Sequence, residues 1–230
     1  MKPLPGLLVL LLLASLLFVR PVSAIGLGQV DDFENGAVLG WANGVPGHLL
    51  NINTGGPAGV GDNYLQLISD GVGQGGRLTM FNLQQWLGNY IAQGVNRIEL
   101  DLINQGPTNL SLRLAFKSQN QPNVPGYLSP AMLLAPGSGW QHFSIAITAA
   151  NLIAIGNPPP AAFNSFFTTG PGDVRLINEV GAADLNGDFI VAQVGIDNIR
   201  AVPEPTTIAL VLGAALALVC RPARWRRLGR

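Results

Sequence analysis

Arg97-Ile98-Glu99-Leu100-Asp101-Leu102-Ile103 and, after a short connection, Leu110-Ser111-Leu112-Arg113-Leu114-Ala115-Phe116-Lys117 decide the fold class. In the first run Ile98, Leu100 and Leu102 alternate with Arg97, Glu99 and Asp101. In the second, Leu110, Leu112, Leu114 and Phe116 share one phase. Successive side chains of a strand point to opposite faces, so a period of two lays one apolar face on a core. Between the runs stand Gly106-Pro107-Thr108-Asn109, residues suited to a turn. The pair therefore predicts an antiparallel hairpin with one buried face.

Upstream, a first strand ending in a turn is expected over Gln29–Gly36, and further strands at Gly40–Ala42, at Leu49–Ile52, at Tyr64–Ser69 and at Arg77–Phe81. The period then changes. Leu83, Trp86, Leu87, Tyr90 and Ile91 recur at helical spacing, which predicts one short helix over about 83–92, with Asn82 as its N-cap and Gly94 as its stop. That stripe makes Trp86 and Tyr90 core residues. Downstream, Ser118–Gly139 reads as a long loop. Trp140–Thr148 alternates again, with Phe143, Ile145 and Ile147 inward. Gly156–Asp173 reads as a second loop, pinned to the core by Phe163, Phe166 and Phe167. Val174–Val180 and Val191–Ile199 close the chain of strands. Eight or nine short strands, Gly- and Pro-rich connections and one helix predict an all-β, jelly-roll-like antiparallel β-sandwich over residues 25–201. Its first and last strands should pair, with both chain ends at one edge.

Both termini carry targeting signals. Lys2 precedes the apolar run Leu7–Val19, and Val22-Ser23-Ala24 follows, so residues 1–24 read as a secretory signal peptide cut after Ala24. At the other end Val202-Pro203-Glu204-Pro205 leads into a charge-free run, Ile208–Val219, and then Arg221, Arg224, Arg226, Arg227 and Arg230. Thr206 to Cys220 would make a helix of roughly 22 Å at about 1.5 Å per residue, short against a hydrocarbon core of about 30 Å. Its arginines would stay on the cytoplasmic side. This trio over residues 202–230 resembles the PEP-CTERM sorting family. The resemblance implies a partner, an exosortase of the inner membrane, and transient anchoring through 208–220. It implies release or relocation to the surface or matrix of a Gram-negative bacterium that makes exopolysaccharide.

The formal charge of the whole chain is zero, but the termini hold most of the positive half. The body keeps six basic residues against twelve acidic ones and is therefore near −6. Nucleic acid is disfavoured as a partner, because such proteins cluster Lys and Arg. The single cysteine, Cys220, lies in the tail, so the body has no disulfide and no thiolate metal site.

A second resemblance spans the body. Asp32-Phe33-Glu34 with Trp41, then Gly139-Trp140-Gln141-His142-Phe143, then Gly195-Ile196-Asp197-Asn198-Ile199 look like galactose-binding-like jelly-roll modules, a group that includes carbohydrate-binding modules. It implies a structural calcium near the chain ends, with Glu34 and Asp197 as side-chain ligands. Hard carboxylate oxygens on neighbouring strands suit Ca²⁺, and Asp31 and Asp32 stand beside them. The same four acids also read as solvated strand ends, and no cofactor is required. Asp184-Leu185-Asn186-Gly187-Asp188 opens like a calcium loop, but Phe189 and Gly195 stand where its glycine and last acid belong. It reads better as an Asn-Gly turn.

A sugar platform needs an exposed aromatic ring with polar neighbours. Trp140 qualifies, since it lies in the phase opposite Phe143 and Ile145, together with His142. Tyr127, in the long loop, is the second candidate. The two histidines, His48 and His142, show no ligand or triad spacing, and no Gly-x-Ser-x-Gly occurs, so no catalytic residue is assigned. The expected function is a non-enzymatic, secreted, exosortase-sorted surface or matrix protein associated with exopolysaccharide. The alternative is a carbohydrate-binding module with a defined glycan site. A polysaccharide hydrolase stands third.

Overall fold

The computed structural model describes residues 24–203, which form a two-sheet antiparallel β-sandwich with two short helices. The signal peptide and the tail beyond Pro203, with Glu204, Pro205 and the arginines, lie outside the described residues. One sheet runs β10 (Gln141–Ala146), β6 (Arg97–Asn104), β13 (Val191–Val202), β4 (Tyr64–Asp70) and β3 (Leu49–Ile52), with β1 (Val30–Asp31) also on β13. The other runs β11 (Ile153–Ile155), β8 (Gly126–Leu128), β7 (Leu110–Lys117), β12 (Asp173–Asn178), β5 (Thr79–Asn82) and β2 (Trp41–Ala42), with β9 (Met132–Leu134) also on β7. The helices are α1 (Tyr90–Gln93) and α2 (Phe163–Thr169). No helix of the described residues is long and apolar enough to cross a membrane.

The strand pattern that decided the fold class is present, but its hairpin is not. β6 pairs with β10 and β13, whereas β7 pairs with β8, β9 and β12. The Gly106–Asn109 connection crosses from one sheet to the other. Ile98, Leu100 and Leu102 thus face Leu112, Leu114 and Phe116 within the same core. Two amphipathic strands joined by a turn read alike whether they lie side by side or face to face, because each presents one apolar face either way.

The first strand pairs with the last as expected: Val30 lies opposite Arg200 and Asp31 opposite Ile199. Gly28 N–H donates to Ala201 O at 2.8 Å, and Ala201 N–H donates to Gln29 O at 3.0 Å. This meeting is in the middle of the sheet rather than at an edge, since β6 and β4 flank β13.

The helix expected over 83–92 shrinks to α1. Gly88 has φ +112°, outside the helical region, and breaks the run. Asn82 Oδ1 accepts from Gln84 N–H in a local turn, and Asn89 becomes the N-cap, its Oδ1 accepting from Ala92 N–H at 2.8 Å. Gly94 stops the helix in the left-handed region, as the sequence indicates. Trp86 and Tyr90 are fully buried even so. The two expected loops hold more structure than expected. β8 and β9 lie inside 118–139, and α2 carries Phe166 and Phe167 into the core inside 156–173.

Candidate functional site

The two sheets turn very different backs to the outside. Behind the second sheet, Ala115, Leu128 and Ile177 are sealed by Leu185 in a second small core. The segment from Glu179 to Asp188 is tied down there. Arg113 Nε donates to Glu179 O at 2.8 Å, Ala183 N–H to Glu179 Oε1 at 3.0 Å, and Val180 N–H to Asp188 Oδ2 at 2.9 Å. Asp184 Oδ1 accepts from the N–H groups of Asn186 and Gly187, so Asp184–Asp188 is the turn that its Asn-Gly suggests.

The back of the first sheet carries the candidate site. Strand alternation turns Arg97, Glu99, Asp101 and Ile103 of β6, His142 and Ser144 of β10, Tyr64 and Gln66 of β4, and Gln193, Gly195 and Asp197 of β13 away from the core. Trp140, just before β10, closes over this surface. Its ring meets Tyr64 edge to face at 5.4 Å between centroids, and its Nε1 donates to Gly55 O at 2.9 Å. Gly195 lies underneath. A Cβ there would stand 2.6 Å from Ile103 Cγ2, 3.0 Å from Trp140 Cη2 and 3.1 Å from Tyr64 Cδ2, so only glycine lets the three side chains converge.

A row of amides borders the rings. Gln105 Nε2 donates to Tyr64 Oη at 2.9 Å, and Gln105 Oε1 accepts from Gln66 at 3.1 Å and from Gln193 at 3.3 Å. On the other side stand the charges. His142 Nδ1 lies 2.8 Å from Asp101 Oδ1, Asn198 Nδ2 donates to Asp101 Oδ2 at 3.0 Å, and Arg97 Nη1 donates to Ser144 Oγ at 2.8 Å. Asn198 adopts φ +51° where the register between β13 and β6 shifts. That bulge swings its amide back onto Asp101 and Asp197.

Asp197 is the buried acid of this surface, 1% exposed. Burial pushes its carboxyl up to about 7; the N–H of Asn198 opposes the shift, and the charges of Asp62, Asp101 and Glu34 add to it. Glu34 is exposed and accepts from Asn63 N–H at 2.9 Å. No group of three or more His, Cys, Asp or Glu fit to hold a metal occurs among the described residues. Asp31 belongs to the interior instead. Its Oδ2 accepts from Trp41 Nε1 at 2.8 Å and Trp86 Nε1 at 2.6 Å, and burial raises its carboxyl above the usual range.

Of the aromatic candidates, Trp140 and His142 share this surface, Trp140 half-buried and His142 exposed. Tyr127 does not reach it. It lies in β8 of the other sheet, packs on Phe163, Phe166 and Phe167, and donates to Ala161 O at 2.8 Å. The loop assignment failed because its strand is three residues long and leaves no periodicity to read. Tyr64 and the three glutamines were missed. Tyr64, Gln66 and Ile68 share one phase opposite Leu65 and Leu67, which is the signal that places Tyr64 and Gln66 on a solvent side.

No family model matches the sequence, and no curated protein matches it. The fold has solved relatives. The chain is similar to a family 11 carbohydrate-binding module from Clostridium thermocellum, solved in complex with a β-1,3-1,4-mixed-linked tetrasaccharide. The two share 15% identity and a TM-score of 0.50 over 79% of this chain and 98% of that one. An exo-β-agarase matches with 14% identity and a TM-score of 0.50, over 77% of this chain and 26% of the enzyme. The chain thus spans about a quarter of the agarase. The shared fold is the two-sheet antiparallel β-sandwich.

Proposed function

We propose that this protein is a non-enzymatic glycan-binding module, and that the open back of the β10-β6-β13-β4-β3 sheet is where it holds its ligand. The observation that supports it most is the Trp140–Tyr64 pair over Gly195 with Gln66, Gln105 and Gln193 along its edge. An aromatic ring takes the apolar face of a sugar, and fixed amides take its hydroxyls. The second sheet offers no comparable surface, because Leu185 and its segment cover the middle of its back. The likeness to carbohydrate-binding modules supports the same reading.

In this reading residues 1–24 export the chain. The PEP-CTERM-like tail passes it to an exosortase for display at the surface or in the exopolysaccharide matrix. Affinity electrophoresis of the full chain through gels of mixed-linked β-glucan, agarose, xylan and exopolysaccharide tests the binding. Retardation by at least one polymer that Trp140→Ala abolishes is expected. Equal mobility of both proteins in every gel overturns the proposal.

A further inference from the structure

The chain has two lysines, Lys2 and Lys117, and uses arginine everywhere else for its positive charge. Lysine is normally among the most exposed of residues. Lys117, the only one in the folded body, is 1% exposed. It ends β7 on the covered side of the second sheet. There it lines a cavity of about 200 Å³ with Asn123, Asn157, Asp184, Leu185 and Asn186. Its Nζ donates to Asn186 Oδ1 at 3.0 Å, a neutral partner. Neither nearby carboxylate is hydrogen-bonded to its amine, and Asp173 Oδ1 is buried without a partner. Asp173 Oδ2 holds Arg175 at 2.6 Å, and Asp184 caps its own turn. Burial, helped by the Arg175 guanidinium and opposed by the charges of Asp173 and Asp184, pushes the Lys117 amine down to about 8.

Arginine would answer any need for a fixed charge here, since it never loses its proton in a protein; lysine alone can present a free amine. A cavity of that volume holds roughly six waters' worth of liquid, the size of a triose to a pentose. Three asparagines, Asn123, Asn157 and Asn186, are among its lining residues. We propose that Lys117 and its cavity form a carbonyl-capturing site for a small hydroxy-aldehyde, such as the open form of a short sugar. The amine nitrogen bonds to the carbonyl carbon. The oxygen takes both amine protons and leaves as water, and a C=N bond to Lys117 remains. No oxidant or reductant enters. The Asn amides meet the hydroxyls, and the Glu179–Asp188 segment shields the adduct from bulk water. This site is separate from the glycan surface on the other sheet and stands or falls without it.

The test is reductive trapping on the full chain in detergent, with glyceraldehyde and cyanoborohydride at pH 7, followed by peptide mapping. Roughly 10% of an amine at about 8 is unprotonated at that pH, against roughly 0.04% of an ordinary lysine. Lys117 should therefore carry at least about tenfold more adduct than Lys2, with a yield rising through a midpoint near pH 8. A reducing disaccharide, too large for the cavity, should label Lys117 no better than Lys2. A Lys117 that stays unlabelled while Lys2 reacts, or labels equally with both aldehydes, overturns the proposal. This readout needs no variant. Lys117→Arg should abolish that one adduct and leave the one at Lys2 unchanged.

Discussion

The backs of the two sheets are built from the same alternating strands and end in opposite states. Behind β7 and β12 the outward residues include Ala115 and Ile177, and a folded segment with Leu185 at its centre buries them. Behind β6 and β13 they are Glu99, Asp101 and Gln193 with the buried Asp197, and Trp140 leans over this side with its Nε1 on Gly55 O. Ala115 and Ile177 give the second back an apolar patch to cover, although Ser111, Arg113 and Lys117 lie on it and are buried with it. Apolar residues gain roughly 25 cal/mol per Å² by being covered, whereas carboxylates and amides lose hydration and keep the surface open.

The largest test removes the cover. Leu185→Ala should cost about 2–5 kcal/mol of stability, read from urea unfolding, because it empties a sealed site that cannot readily collapse. Trp140→Ala on the open back should cost less in the same assay; if it costs more, the two backs are not different in kind. The next test concerns pH. The Asp197 carboxyl titrates near 7 in the folded state and near 3.8 unfolded. The folded protein therefore binds the extra proton between those values, and stability should fall as pH rises through them. The loss should be on the order of 4 kcal/mol, and Asp197→Asn should flatten it. Asp31 and Glu179 are shifted upward as well, so some slope should survive in that variant. An unchanged profile would mean that Asp197 is not the buried acid described.

Smaller effects refine the picture. Gly195→Ala inserts a Cβ 2.6 Å from Ile103 and 3.0 Å from Trp140. It should weaken polymer retardation at least about tenfold, or about 1.4 kcal/mol, with a lesser effect on unfolding. Gln105→Ala should cost about 0.5–1.5 kcal/mol of glycan affinity by freeing Tyr64, Gln66 and Gln193. Calorimetry of binding separates it from Trp140→Ala, which removes the platform itself. Equal losses would show that the ring contributes no more than the amide row.

Strand identity was legible where it was long. β6, β7, β4 and β13 each carry several turns of the period-two pattern. β8 and β9 have three residues apiece, too few to show a period, and so vanished into an apparent loop. Pairing was not legible for β6 and β7, because alternation names a buried face but not the neighbour. Within the site, Trp140 and His142 were readable from phase alone. Gln105 was not, since it lies beyond the end of β6 and is placed by its N–H on Gln193 O. Glu34 and Asp197 were linked in the sequence through the pairing of the first and last strands, and that pairing is present at Val30–Asp31. The pairing also drew Asp31 into consideration, yet two indole N–H groups hold that acid inside the core.

The last strand has a mechanical meaning. β13 is twelve residues long and is held by β4 and β1 on one side and β6 on the other. Any load entering the domain through Val202 runs along the axis of that strand. The bonds to its neighbours lie across that direction, so they are loaded together in shear instead of opening one after another. A polymer gripped on the same sheet would pull against those shear-loaded bonds on both sides of β13.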